Sequence, residues 1–399
     1  MRILLYGGSF NPPHLGHEDA LRAAREALHP DKTLVIPAGI PPHKALAEDS
    51  PSAEDRLRMT ELAFADAPGA QVTDLELRRQ GKSYTVDTLR QFRSLWPGAE
   101  LCFLVGTDML LYMEQWMSFR EIFSLCTLAA MPREEGELPQ LESFADYLRR
   151  TYGAGIIVIP KTPLPMSSTQ LRAALPERRG RECLSPEVYA YIIRRRLYGA
   201  RPELSWLREQ ADPYMKPKRI PHVRGVEQEC LRLARIWGVD EGEAAEAGIL
   251  HDLTKKCGEE EQLRMCARYG IMLDDLERAE PKLLHARTGA HLARELFGCS
   301  DAVCDAIEWH TTGRPGMSTL EMIVYLADIS EVNRSFPGVE DIRAMTGKNL
   351  YQAMVIALEG SLRSIRVQGG VVHPRSEETL RWAKEQIRES KNEQSYPRG

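Results

Sequence analysis

The chain has 399 residues, 43% of them hydrophobic and 27% charged, with a formal net charge of −5. That length exceeds what one hydrophobic core normally fills, so two domains are expected, and the mild acidic balance with interspersed signs gives no global case for nucleic acid or an anionic membrane. No apolar run approaches the roughly 18 residues that span a bilayer, and eight scattered cysteines without a Cys-x-x-Cys pair point to reduced thiols in a cytoplasmic protein.

The opening run "RILLYGG" is too short for a secretion signal and reads as a buried strand. "HEDALRAAREALH" follows as a helix with Leu21, Ala24 and Leu28 on one face. "TLVIPAG" is a second strand, and "SAEDRLRMTELAFAD" a helix with Ser52 as its cap. "AQVTDLELRR" reads as a third strand, "SYTVDTLRQFRSLW" as a helix, and "ELCFLVGTD", "CTLAAMPR" and "GIIVIP" as further strands, the last two separated by a helix. Strand–helix alternation of this kind predicts an α/β domain with a parallel sheet, whose ligands sit outside the carboxyl ends of the strands. The end of the first strand carries "YGGSFNPPHLGH".

From about Ser205 the strands cease. Apolar faces of period 3.6 recur in "GVEQECLRLARIWG", "EGEAAEAGILHDLTKK", "EEQLRMCARYG", "KLLHARTGAHLARELFG", "DAVCDAIEWHT" and "TLEMIVYLADISEV", which predicts an all-α domain. The domains are set at 1–200 and 201–385, with a charged tail over 386–399.

Gly7 and Gly8, a loop and a helix start can aim backbone N–H groups at an anion, although a Gly-Gly pair alone is equally a tight turn. His14 and His17 share one face of that helix start, and Gly16 between them is read as leaving room for a ligand. Imidazoles there suit phosphoryl transfer, which needs positioning and charge stabilisation more than a covalent catalyst. "GSFNPPHLGH" resembles the nucleotidyltransferase His-x-Gly-His signature, and "PMSSTQLR" (165–172) resembles its companion Ser-Ser-Thr-x-x-Arg segment. "PPHK" (41–44), "SYTVDTL" (83–89), "LVGTDM" (104–109) and Trp116 are similar to bacterial nicotinate mononucleotide adenylyltransferases, a resemblance covering about residues 1–200 of a Rossmann-like fold.

The resemblance implies transfer of an adenylyl group from ATP to nicotinate mononucleotide, with Mg²⁺ accompanying ATP. His14, His17 and Arg172 would be catalytic; Gly7, Gly8, Ser9, Phe10, Gly106, Asp108, Ser167 and Ser168 would join them around ATP. Lys44, Tyr84, Thr85, Trp116 and Arg133 would face the mononucleotide, Trp116 as a stacking ring or else as a core residue, Arg133 by position alone. Asn11 stands where the family commonly has Asp.

His251-Asp252 alone says little, because adjacent helical side chains diverge by about 100°. With His222, His285, His310 and Asp328 it resembles the HD phosphohydrolase superfamily, in a form with ligands for two metals bridged by Asp252, which would be the catalytic residue of this half. Mixed imidazole and carboxylate donors suit iron, here favoured, or manganese or zinc. Lys255, Arg314 and Arg334 would hold substrate phosphates or be surface cations; His291 and His373 are read as partly exposed helical histidines outside the pattern. "KRIPHVRGV", "LLHARTGA", "HTTGRPGMS" and "YLADISEVNRSFPG" are similar to bacterial HD hydrolases that cut diadenosine tetraphosphate into two ADP, departing at Val332 and Ala286. The joint expectation is a bifunctional enzyme acting on ATP, nicotinate mononucleotide and diadenosine tetraphosphate, with neither nucleic acid nor membrane as partner and self-association left open. Open alternatives are another phosphate acceptor for the first half, and a general nucleotidase or a nucleotide sensor for the second.

Overall fold

Six parallel strands form the frame of the first half: β1 (Arg2–Gly8), β2 (Lys32–Pro37), β3 (Ala70–Val72), β4 (Glu100–Gly106), β5 (Thr127–Met131) and β6 (Ile156–Val158), in the order β3-β2-β1-β4-β5-β6. The structure is a computed structural model describing residues 1–40 and 50–395. The chain divides into two units, Met1–Arg201 and Pro202–Gly399.

Helices α1 (Leu15–Leu28), α2 (Ala53–Ala63), α3 (Thr85–Leu95), α4 (Thr107–Leu111), α5 (Phe119–Leu125), α6 (Leu138–Tyr152), α7 (Ser168–Ala174) and α8 (Pro186–Arg195) complete the first unit. Ser52 caps α2 by accepting the Asp55 N–H at 3.0 Å, as its sequence position predicts. Alternating β1 side chains bury on opposite faces: Ile3 and Leu5 join Leu34, Phe103 and Leu128 against Leu89, Phe92 and Leu148, while Leu4 is buried too. Both faces are dry because crossover helices flank a parallel sheet.

The third strand is far shorter than the "AQVTDLELRR" pattern predicts. After Val72 the Thr73 N–H still reaches Val35, but the Asp74 carbonyl then accepts the Arg78 N–H and its carboxylate holds Arg78 Nε at 2.6 Å. An edge strand with one neighbour gains little from extension, so the local turn wins.

The second unit holds α9 (Leu204–Ala211), α10 (Ile220–Trp237), α11 (Glu241–Leu250), α12 (Glu259–Tyr269), α13 (Asp275–Ala279), α14 (Leu284–Phe297), α15 (Asp301–Glu308), α16 (Thr319–Ser330), α17 (Val339–Thr346), α18 (Leu350–Val367) and α19 (Pro374–Ser395). Helix α11 is buried on every side from Ala244 to Leu250 and packs against α10, α15 and α16, which makes it the central element. It stops at Leu250 instead of continuing through "HDLTKK". Beyond it the backbone turns by i→i+3 bonds, Leu253 to Leu250, Lys255 to Asp252 and Cys257 to Thr254. His251 and Asp252 therefore leave a helix C-terminus, where the dipole favours a cation. A second core gathers Met322, Leu326, Ile342, Met354 and Leu358 from α16, α17 and α18. Helix α19 runs through residue 386, so the charged tail read from the sequence is helical as far as Ser395.

Candidate active sites

In the first unit the strand order reverses at β1, which pairs with β2 on one side and β4 on the other. Ligand crevices of doubly wound sheets open at such points, here outside Gly8 and Gly106. The two distant motif segments meet there. Ser168 Oγ donates to the Pro12 carbonyl at 3.0 Å, and Arg172 Nη1 donates to the Asn11 carbonyl at 2.7 Å. Ser167 stands just before α7, and Ser9 is exposed at the loop's start.

His14 and His17 stack at 3.7 Å between ring centroids, and the His14 backbone N–H donates to His17 Nδ1 at 3.2 Å. A neutral His17 that accepts on Nδ1 carries its proton on Nε2, leaving a donor for a phosphate oxygen. Burial, reinforced by the Arg133 charge, pushes His14 down to about 4. Enclosure by Phe10, Tyr6 and His14 desolvates the His17 ring and holds it well below its ordinary range, so both rings are neutral near pH 7. His14 Nδ1 is buried without a hydrogen-bond partner.

Arg133 stands over Gly106, and its Nε lies 3.0 Å from Asp108 Oδ1. The two residues assigned to opposite ligands are thus in contact, within electrostatic reach of the histidines. Tyr84 and Thr85 open α3, and the half-buried Trp116 meets Phe103 edge-on at 6.5 Å. Phe10 is fully buried among Tyr6, Phe64 and His17, so only its backbone can serve a ligand. Lys44 lies outside the described residues. Gly16 does not leave room for a ligand: a Cβ there would fall 2.7 Å from the Leu164 carbonyl, so the glycine admits another stretch of backbone.

Two residues that sequence reasoning missed hold this loop. Arg56, 3% exposed, donates to the Ala38 carbonyl at 2.6 Å and bridges the loops after β1 and β2. Tyr198, in the left-handed region at φ 60°, donates to Asn11 Oδ1 at 2.7 Å, while Asn11 Nδ2 donates to Ser50 Oγ at 2.8 Å. The amide in place of the family's carboxylate therefore serves one partner as acceptor and the other as donor.

In the second unit, His222, His251, Asp252, His285, His310 and Asp328 converge from five segments. His222 Nε2 lies 3.0 Å from Asp328 Oδ1, His251 Nε2 3.5 Å from Asp252 and 3.8 Å from Asp328, and His285 Nε2 3.3 Å from Asp252. Within this cluster two sets offer ligand atoms within 4.8 Å of one another, His222–His251–Asp328 and His251–Asp252–His310. His251, His285 and His310 each donate Nδ1–H to a backbone carbonyl one turn back, of Gly248, Lys282 and Ile307. Every Nε2 is therefore a lone pair turned inward, and those of His285 and His310 face each other at 3.2 Å. Facing lone pairs, with His251 Nε2 and Asp252 Oδ1 buried and short of a well-formed hydrogen bond, fit bound cations.

The field fits as well. Burial alone would raise Asp252, but His251, His285 and Lys255 hold it well below the carboxylate range, and His222 and His251 do the same for Asp328. Burial and its histidine neighbours push His310 down to about 3, keeping it a neutral donor set.

Lys255 Nζ reaches His285 Nε2 at 2.9 Å, and Arg334 Nη2 reaches Asp328 at 2.7 Å. Arg219, missed in the sequence although it stands one turn before His222, donates to Asp252 Oδ2 at 2.5 Å. Arg314 is engaged elsewhere, by buried Glu321 at 2.6 Å and by Asp305. His291 is half-buried on α14 and stacks on Tyr269. His373, expected to be partly exposed and helical, is 6% exposed and precedes α19, where Nδ1 accepts the Arg375 N–H.

Residues 5–174 match the cytidylyltransferase-like family model and residues 219–333 the HD domain model. A Trichlorobacter lovleyi protein named a probable nicotinate-nucleotide adenylyltransferase is 38% identical over 212 residues, which is 50% of this chain and 99% of that one. A Mycoplasma genitalium protein named a probable nicotinate-nucleotide adenylyltransferase/Ap4A hydrolase is 28% identical over 371 residues, 90% of this chain and 97% of its own length. A crystal structure from Clostridium acetobutylicum, described as a predicted HD superfamily hydrolase involved in NAD metabolism, is 32% identical, covers 46% of this chain and 97% of that one, and has a TM-score of 0.45.

Proposed function

Through its first half the chain belongs to the nicotinate-nucleotide adenylyltransferase family, and from that premise we propose a bifunctional enzyme. The first unit joins ATP and nicotinate mononucleotide: a mononucleotide phosphate oxygen attacks the α-phosphorus of ATP, forming deamido-NAD as pyrophosphate leaves. His14 and His17, neutral near pH 7, donate N–H groups to the phosphate oxygens, with Arg172 and the Arg133 charge beside them. The meeting of the Ser168–Arg172 segment with the Asn11–His17 loop carries this reading. Gly7, Gly8 and Ser9 offer backbone N–H groups to the phosphates, Mg²⁺ accompanies ATP, and Tyr84, Thr85 and Trp116 face the pyridine side. Pyrophosphate release from ATP and nicotinate mononucleotide is the test; a folded sample that releases none refutes the assignment.

The second unit hydrolyses diadenosine tetraphosphate to two ADP, a reading carried by the three inward imidazole lone pairs of His251, His285 and His310, together with His222 and two carboxylates in one cluster. His222, His251, Asp252, His285, His310 and Asp328 would hold divalent iron, manganese or zinc, which would supply Lewis-acid stabilisation of the anionic transition state. Arg219, Lys255 and Arg334, which contact Asp252, His285 and Asp328, donate to the substrate phosphates in this reading. Metal analysis plus chromatography of the nucleotide products tests this half: no bound transition metal and no ADP would sink it. The free thiols suit a reducing, cytoplasmic location; no helix among the described residues is long and apolar enough to cross a membrane.

A further inference from the structure

Three of the four cluster histidines are oriented alike, each Nδ1–H donating to the carbonyl three residues upstream at 2.6–2.8 Å. His222 differs. Its Nδ1–H donates at 3.0 Å to Oε1 of Glu331, a carboxylate 1% exposed that stands just beyond α16, one turn after Asp328. Glu331 is itself fixed, since Oε2 accepts both the backbone N–H of Asn333 at 2.7 Å and its Nδ2 at 3.0 Å. The approach depends on Gly225, one turn after His222 in α10. A Cβ there would fall 2.1 Å from Glu331 Oε2. Glycine is unfavourable in the middle of a helix relative to alanine, and here it opens the space the carboxylate occupies.

A carboxylate acceptor makes an imidazole more basic and adds a negative charge behind it; a carbonyl supplies only a dipole. The two ligand sets are thereby unequal: His222–His251–Asp328 has Glu331 behind it, whereas His251–Asp252–His310 has carbonyls alone. The nearby cations do not cancel the difference, because Arg334 donates to Asp328 and Arg219 to Asp252.

We propose that the two metal positions of the second unit differ in affinity, and that Glu331, admitted by Gly225, makes the His222 position the tighter one. The inference rests on the metal-hydrolase reading above. Glu331 is a positioning residue: it acts through His222 and touches neither substrate nor metal.

The test uses the full chain, stripped of metal and titrated with Zn²⁺ against a competing chelator, with bound metal counted by mass spectrometry. The wild type should fill in two separable steps. Glu331→Gln, which keeps an acceptor but removes the charge, should weaken the tighter step about 10–100-fold and leave the weaker one in place. Gly225→Ala, which keeps every charge and displaces the carboxylate, should shift the same step, and it carries the test if the Gln variant fails to fold. His310→Ala should remove the weaker step and spare the Glu331-dependent one. Two wild-type steps that cannot be separated, or variants with native circular dichroism that shift neither step or both equally, overturn the inference alone. A wild type that binds no Zn²⁺ overturns the metal-hydrolase reading instead.

Discussion

On the function proposed above His17 meets a phosphate as a neutral N–H donor, and His14 stacks on it with a buried, unpartnered Nδ1. Replacing either by Ala should lower kcat for adenylyl transfer by about 10²–10³, the cost of one lost transition-state donor. Pyrophosphate release reads this, and hydrolysis of diadenosine tetraphosphate by the same sample should not change. The stability consequence has a definite sign. The folded protein holds His14 down to about 4, while an unfolded histidine titrates near 6.5, so the unfolded chain binds more protons between those values. The stability linked to His14 is whole above about pH 6.5 and drains as pH falls toward 4. Denaturant midpoints at pH 7 and pH 5 should therefore differ, and His14→Gln should narrow the gap. The histidines and aspartates of both sites were legible in the sequence because their chemistry is tied to residue type and order. Arg56, Tyr198, Arg219 and Glu331 were not, since their roles rest on contacts with residues distant in the chain.

Helix α1 begins where backbone from another segment presses against it, at the Gly16–Leu164 contact. Gly16→Ala puts a methyl group 2.7 Å from a carbonyl oxygen, and overpacking of this kind costs about 1–3 kcal/mol, measurable as a lowered denaturant midpoint. The stretch after α8 closes on the same loop. Tyr198→Phe leaves buried Asn11 Oδ1 without that donor, at a cost of about 1–3 kcal/mol, and should raise the KM for ATP. Periodicity identified the helices and the central strands because one buried face imposes its repeat on the sequence. It failed at the edges. "AQVTDLELRR" carries a strand pattern past the point where a partner strand can reward it, and "HDLTKK" carries a helical pattern past α11, where His251 and Thr254 spend hydrogen bonds on Gly248 and His285.

Each unit has its own core and its own cluster of chemistry, so polypeptides 1–201 and 202–399, expressed separately, should each keep the activity proposed for that unit. Equal rates from the mixed halves and the intact chain would leave no role for channelling between the sites. Chelation should separate the activities in the whole protein. After treatment with a strong chelator, Mg²⁺ alone should restore adenylyl transfer but not hydrolysis, because imidazole-rich sites favour transition metals. The sequence by itself determined the two-domain plan and the parallel sheet followed by helices. These follow from length and periodicity, properties of the chain read locally, whereas the phosphate and metal chemistry was implied by the resemblance of its ordered motifs to known families. Only the tertiary structure decided that Gly16 admits backbone in place of ligand, that Arg133 meets Asp108, that Arg314 belongs to Glu321, and that one histidine of four is backed by a carboxylate. Each depends on which backbone or side-chain group arrives within about 3 Å, the distance at which a hydrogen bond forms, and linear spacing does not encode that approach.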